Sequence, residues 1–183
     1  MDKKYVFQKL NIAQAVIINT FDMSDNRGSV HKIYEEEVFK KNGVIFKPTE
    51  ELIIRSNMNV LRGMHFQKNI GQAKLVSLLS GNIYVVILDV DINSNSYRKW
   101  VGIELKDANT SIYIPANCAL GTLAFEESLI SCMCDYKYVS ENATGVLWND
   151  SDIAIGWPLE RLDGLPILSE KDKQLRLLEE VMI

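Results

Sequence analysis

Three side chains close together in the chain have types suited to chemistry: His65, Arg62 just before it, and Lys74 a short way after. An imidazole titrates near neutrality and can take a proton from carbon. A guanidinium can clamp an anion, and an ammonium can steady the charge that grows on a carbonyl oxygen as that proton leaves. Residues 59–67 read as the strand that carries the first two. Val60, Met64 and Phe66 then face one way, and Leu61 and His65 the other. Arg62 and His65 leave from opposite faces unless a bulge intervenes, and Gly63 is the residue at which a bulge would sit. The same pattern also suits a half-buried strand histidine with a local hydrogen-bond partner.

The rest of the sequence bounds the setting. With 183 residues, 47% of them apolar, the chain suits a single domain, 1–183, with a sizeable core. A formal net charge of −4 argues against nucleic acid or an anionic membrane as main partner, though local basic clusters can still hold a small phosphorylated ligand. No run reaches the roughly 20 apolar residues of a membrane span. The start, Met1-Asp2-Lys3-Lys4-Tyr5, lacks the apolar segment and cleavage site of a secretion signal. Cys118, Cys132 and Cys134 are an odd set with no such signal, so reduced thiols and cytoplasmic residence are expected. An imidazole-held catalytic metal normally takes two or three converging histidines; this chain has only His31 and His65, without the HxH spacing, and a metal site is rejected.

The elements that must position these groups are mostly short strands. Residues 15–20, 30–34, 51–55, 74–79 and 83–90 read as extended, with Ser80-Gly81-Asn82 a hairpin signal between the last two. Residues 100–105, 111–114, 120–125 and 129–138 continue the series. Strands about ten residues apart with turn signals between them indicate a β-sandwich or barrel. Residues 35–41 suit a helical turn or two, stopped by Asn42-Gly43. Ser169-Glu170-Lys171-Asp172 opens a C-terminal helix carrying Leu175, Leu177, Leu178 and Val181 on one side.

Several motifs occur in order along nearly the whole chain: Leu61-Arg62-Gly63-Met64-His65-Phe66-Gln67, Ala73-Lys74-Leu75-Val76, Trp100-Val101-Gly102-Ile103-Glu104-Leu105, Tyr113-Ile114-Pro115, Val146-Leu147-Trp148-Asn149-Asp150, Ile155-Gly156-Trp157-Pro158 and Leu168-Ser169-Glu170-Lys171-Asp172. Together they resemble the dTDP-4-dehydrorhamnose 3,5-epimerase family of nucleotide-sugar enzymes. The resemblance implies a mainly β fold, a cupin-type jelly roll with short peripheral helices, usually a homodimer and without metal or other cofactor. It implies proton abstraction beside the ketone of a 4-keto nucleotide sugar, dTDP-linked, in the making of deoxysugars for surface polysaccharide. By position His65 matches the base, Asp172 the carboxylate that orients it, and Lys74 the lysine near the keto oxygen. Arg62, and Arg27 in the Asp25-Asn26-Arg27-Gly28 turn, match arginines on the pyrophosphate, a contact that a dimer can make between its chains; Gln67 and Tyr138 join them as substrate-binding positions. Bland alternatives exist: Asp172 completes a capping box with Ser169, the basic residues are surface charges, and Trp148 and Trp157 are core aromatics.

The departures from the family fall in the site. The family's Pro-x-Gly-Phe-Ala-His-Gly reads Pro115-Ala116-Asn117-Cys118-Ala119-Leu120-Gly121, so its histidine is Leu120, and the aspartate paired with it falls at Val85. Losing both members of a polar pair avoids leaving one buried and unsatisfied. The tyrosine serving as opposite-face acid falls at Cys132 or Ser131. Ser29, Val30, His31 and Lys32 replace a glutamate and aromatics, and Glu50, Glu51 and Leu52 replace a Gln-x-Asn substrate motif. The expectation is a nucleotide-sugar epimerase of altered specificity, inverting one centre, with Cys132, Tyr136, Tyr138 or water returning the proton. A keto-sugar isomerase of other regiochemistry and a non-catalytic nucleotide-sugar binder stay open.

Overall fold

The computed structural model describes residues 5–20 and 22–181. Its strands, in chain order, are β1 (Val6–Lys9), β2 (Val16–Asn19), β3 (Asp22–Asp25), β4 (Gly28–His31), β5 (Glu50–Ser56), β6 (Leu61–Gln67) and β7 (Lys74–Ser80). They continue as β8 (Ile83–Asp89), β9 (Trp100–Leu105), β10 (Thr110–Ile114), β11 (Cys118–Ala124), β12 (Ser128–Cys134) and β13 (Ala143–Gly145). One sheet runs β1-β2-β10-β7-β12-β5 and the other β13-β6-β11-β8-β9, while β3 and β4 form a separate hairpin. This is the cupin-type jelly roll expected from the sequence. Every pairing within these sheets is antiparallel.

Period-two alternation sorts the side chains into layers. Ile83, Val85 and Ile87 of β8 point between the sheets, against Val76, Ile112, Ile130 and Cys132 of the facing sheet. Val86 and Leu88 point outward, beneath Trp157, Leu178 and Val181. That double burial explains why this run is apolar at nearly every position. Behind the other sheet Ile18 and Leu75 pack on Phe39, brought by the helix α1 (Glu36–Lys41). No helix among the described residues is long and apolar enough to cross a membrane.

Several sequence expectations are corrected. The Ser80-Gly81-Asn82 turn joins no hairpin: β7 pairs with β10 and β12, and β8 with β9 and β11, so the turn carries the chain from one sheet to the other. Turn chemistry reports a reversal but not which strand will be the hydrogen-bonding neighbour. The C-terminal helix is two short ones, α2 (Glu170–Lys173) and α3 (Leu178–Val181). Between them Arg176 forms a parallel bridge to Val146, and Asp150 accepts the Leu178 N–H at 2.8 Å. Leu178 and Val181 are buried as their spacing suggested, but the sheet edge competes for the backbone in between. The strands β1 and β13 and the start of the β3–β4 hairpin went unread because they are short, the expected strand over 30–34 ends at His31, and the one expected over 129–138 ends at Cys134.

The bulge at Gly63 is present. On β11 Leu120 pairs with His65 and Thr122 with Arg62, so Gly63 and Met64 oppose the single residue Gly121. Arg62 and His65 thereby emerge on the same face, toward the interior between the sheets. Leu61, Met64 and Phe66 all turn to the outer core, which moves Leu61 from the side expected for it. Gly63 has φ of +108°, and a Cβ there would stand 2.5 Å from the Leu120 carbonyl oxygen. Gly63→Ala is expected to lower stability by at least about 1–3 kcal/mol, read as a fall in the denaturant midpoint.

Candidate active site

The interior-facing side chains of the two sheets leave an open cavity of about 360 Å³. That is the scale of a small-molecule site, roughly 300–1,000 Å³. From β6 and β11 come Arg62, His65, Leu120 and Thr122; from β7, β12 and β5 come Lys74, Cys132, Leu52 and Ile54. His65 and the pair Lys74 and Cys132 therefore enter from opposite sheets.

His65 is held by a carboxylate. Its Nε2 lies 2.6 Å from Asp172 Oδ1, while the other carboxylate oxygen, Oδ2, accepts from the Gly63 N–H at 3.5 Å. Donation from Nε2 to Asp172 fixes the tautomer, so Nδ1 keeps its lone pair, and nothing among the described residues hydrogen-bonds that nitrogen. Asp172 is buried at the start of α2. Burial would raise its carboxyl, but the hydrogen bond and charge of His65, with the Gly63 and Ser169 contacts, outweigh this and hold it below the ordinary aspartate range. The capping reading is also true: Ser169 Oγ accepts the Asp172 N–H at 3.1 Å. One residue thus starts the helix with its backbone and orients the base with its side chain.

Lys74 is buried, its Nζ donating to the Gln72 carbonyl at 3.0 Å. Desolvation lowers its ammonium below the usual lysine range. Across from His65, Cys132 is buried on the same wall; a hydrogen bond to Cys134 and desolvation push its thiol well up, so it stays protonated. Cys118, Cys132 and Cys134 are all free.

The chain matches the family model for dTDP-4-dehydrorhamnose 3,5-epimerase over residues 9–180. It belongs to this family. The epimerase of Methanothermobacter thermautotrophicus is 36% identical over 179 residues, covering 97% of this chain and 96% of that one. A Legionella pneumophila 3,5-epimerase, solved with dTDP-4-keto-L-rhamnose, superposes with a TM-score of 0.90 at 27% identity, covering 96% and 94% of the two chains. A 3'-monoepimerase from Streptomyces bikiniensis, solved with dTDP-quinovose, gives 0.86 at 26% identity, covering 94% and 87%.

Against the family pattern, the structure gathers His65, Asp172, Lys74, Cys132, Arg62, Gln67 and Tyr138 on one cavity and leaves Arg27 off it. Arg27 stands on the exposed β3–β4 turn, its guanidinium 2.6 Å from Asp25. Arg62 is anchored by Ser56 Oγ and the Arg55 carbonyl, both at 3.0 Å. The Gln67 amide is spent on backbone, accepting from Val139 N and donating to the Lys137 carbonyl. Leu120 and Val85, where the family has its second polar pair, join one apolar cluster. His31 bonds Ser29 and Asn109 with its two ring nitrogens and is not on the cavity. Trp157 is a core aromatic whose indole N–H donates to the Trp148 carbonyl. Thr122 and Gln72 were missed as wall residues, though Thr122 lies two positions from Leu120 on one strand and period two alone would place it.

Proposed function

We propose that the protein is a nucleotide-sugar epimerase that acts on a dTDP-linked 4-keto-6-deoxy hexose in deoxysugar biosynthesis for surface polysaccharide, inverting one centre. The observation that carries this is the His65–Asp172 pair facing Lys74 across a sugar-sized cavity. His65 Nδ1 takes a proton from the carbon beside the ketone, and Asp172 stabilises the imidazolium that results. The electron pair moves onto the keto oxygen, where the Lys74 ammonium meets it. A lysine weakened as a base by burial is a better donor to that oxygen. The proton returns from the other face, where Cys132 is the protonated group opposite His65. Relatives solved with dTDP-4-keto-L-rhamnose and dTDP-quinovose support the ligand class.

Single-centre inversion is favoured by the loss of the second polar pair to Leu120 and Val85. A homodimer completes the reading: Arg27 lies off its own chain's cavity, so a phosphate role for it requires a second copy. The test is solvent deuterium exchange. Incubating the protein in D₂O with a 4-keto-6-deoxy dTDP-hexose is expected to add one deuterium, read by mass spectrometry. Binding without any incorporation would replace the enzyme by a nucleotide-sugar-binding homologue.

A further inference from the structure

Resting on the epimerase reading, we infer that Leu120 restricts the reaction to C5, the ring carbon that bears the methyl group, and excludes C3, which bears a hydroxyl. In the sheet His65 has two direct neighbours. On one side its partner is Leu120; on the other it is Gly145, which has no side chain. Neither can donate or accept a hydrogen bond beside the imidazole. The carboxylate of Asp172 is already taken by the ring and the Gly63 N–H. The next polar side chain along β11 is Thr122, one register step or about 7 Å away and next to Arg62. Gln67, two residues beyond His65 on β6, is turned toward backbone, its oxygen accepting the Val139 N–H and its nitrogen donating to the Lys137 carbonyl.

The carbon that gives its proton to Nδ1 must approach this apolar flank with its remaining substituent against Leu120. At C5 that substituent is a methyl group, which gains by leaving water. At C3 it is a hydroxyl, which loses water on the side that Leu120 covers and finds no partner in that side chain, the polar groups Ser169 and Lys171 entering the cavity from the helix α2 side instead; a loss of about tenfold or more follows. Lys74 is compatible with either approach, because the C4 ketone lies between the two carbons. The selection therefore comes from the flank of the base and not from the oxyanion side.

The experiment is deuterium exchange in D₂O with a dTDP-4-keto-6-deoxy-hexose, followed position by position through loss of the H5 and H3 proton resonances. The expected result is exchange at C5, with C3 at least about tenfold slower. Exchange at C3 as fast as at C5, or faster, overturns the assignment while leaving the epimerase reading intact. No exchange at either carbon overturns both. Leu120→Asn, which offers a hydroxyl a partner, is expected to raise the C3 to C5 ratio, and Leu120→Met to preserve it. An unchanged ratio in a folded Leu120→Asn protein would remove Leu120 as the determinant; the wild-type ratio decides the regiochemistry without any variant.

Discussion

Replacing His65 with alanine is expected to slow deuterium incorporation by about 10²–10⁴-fold, the range that a positioned general base supplies. The geometry assigns the loss to one nitrogen. Nε2 is occupied by Asp172 at 2.6 Å, so only Nδ1 can accept the substrate's proton. Truncation should spare nucleotide binding, because the phosphate contacts proposed for Arg62 and Arg27 do not pass through the ring. The variant should also change the acid side of the stability profile. The Asp172 carboxyl is held below its ordinary value in the fold, so it contributes stability above the unfolded value of about 3.9 that is lost as pH falls through the lowered one. Without His65 that contribution shrinks, and the two proteins should converge in stability at low pH. Wild-type exchange rates in His65→Ala would dismiss the imidazole as base.

How far the sequence alone reached depends on what each residue interacts with. Local periodicity located β5 to β11 to within about two residues, most sharply where a strand is buried, as β7 and β8 are; the extended run expected over 129–138 stops at Cys134 in β12, and β5 buries only Ser56. It also anticipated the bulge, because Gly63 is the position where the chain can adopt a left-handed angle. What periodicity could not give was pairing. The neighbours of His65 are Leu120 and Gly145, both far away in sequence, and only the sheet order brings them together. Asp172 shows the same limit in another form: its capping role follows from Ser169 three residues earlier, whereas its bond to His65 spans 107 positions. The family resemblance supplied that long-range link. It carried Gln67 and Arg27 along as well: the Gln67 amide lines the cavity but makes two bonds to backbone, and Arg27 lies off the cavity of its own chain.

Lys74→Met should separate catalysis from stability, with opposite signs. Turnover is expected to fall by about 10²–10³-fold, as when one preorganised donor is removed from a developing oxyanion. Stability at pH 7 is expected to rise. Among the described residues no carboxylate lies within ion-pair distance of the Lys74 Nζ, and its one hydrogen bond is to the Gln72 carbonyl. A buried ammonium so poorly compensated burdens the folded state, and this is why desolvation lowers its titration point. The sign follows from proton counting. Between the lowered folded value and the unfolded value of about 10.4, the unfolded chain binds the extra proton, so wild-type stability climbs as pH rises through that window. Methionine fills similar space without the charge, so the advantage of Lys74→Met should be full at neutral pH and narrow toward pH 10. The Gln72 carbonyl loses its donor in the variant, which offsets part of the gain. Thermal melts across pH, set beside exchange rates, check both signs at once: a variant less stable at neutral pH would show the ammonium to be better solvated than its burial indicates, and one with wild-type turnover would place the enolate oxygen elsewhere.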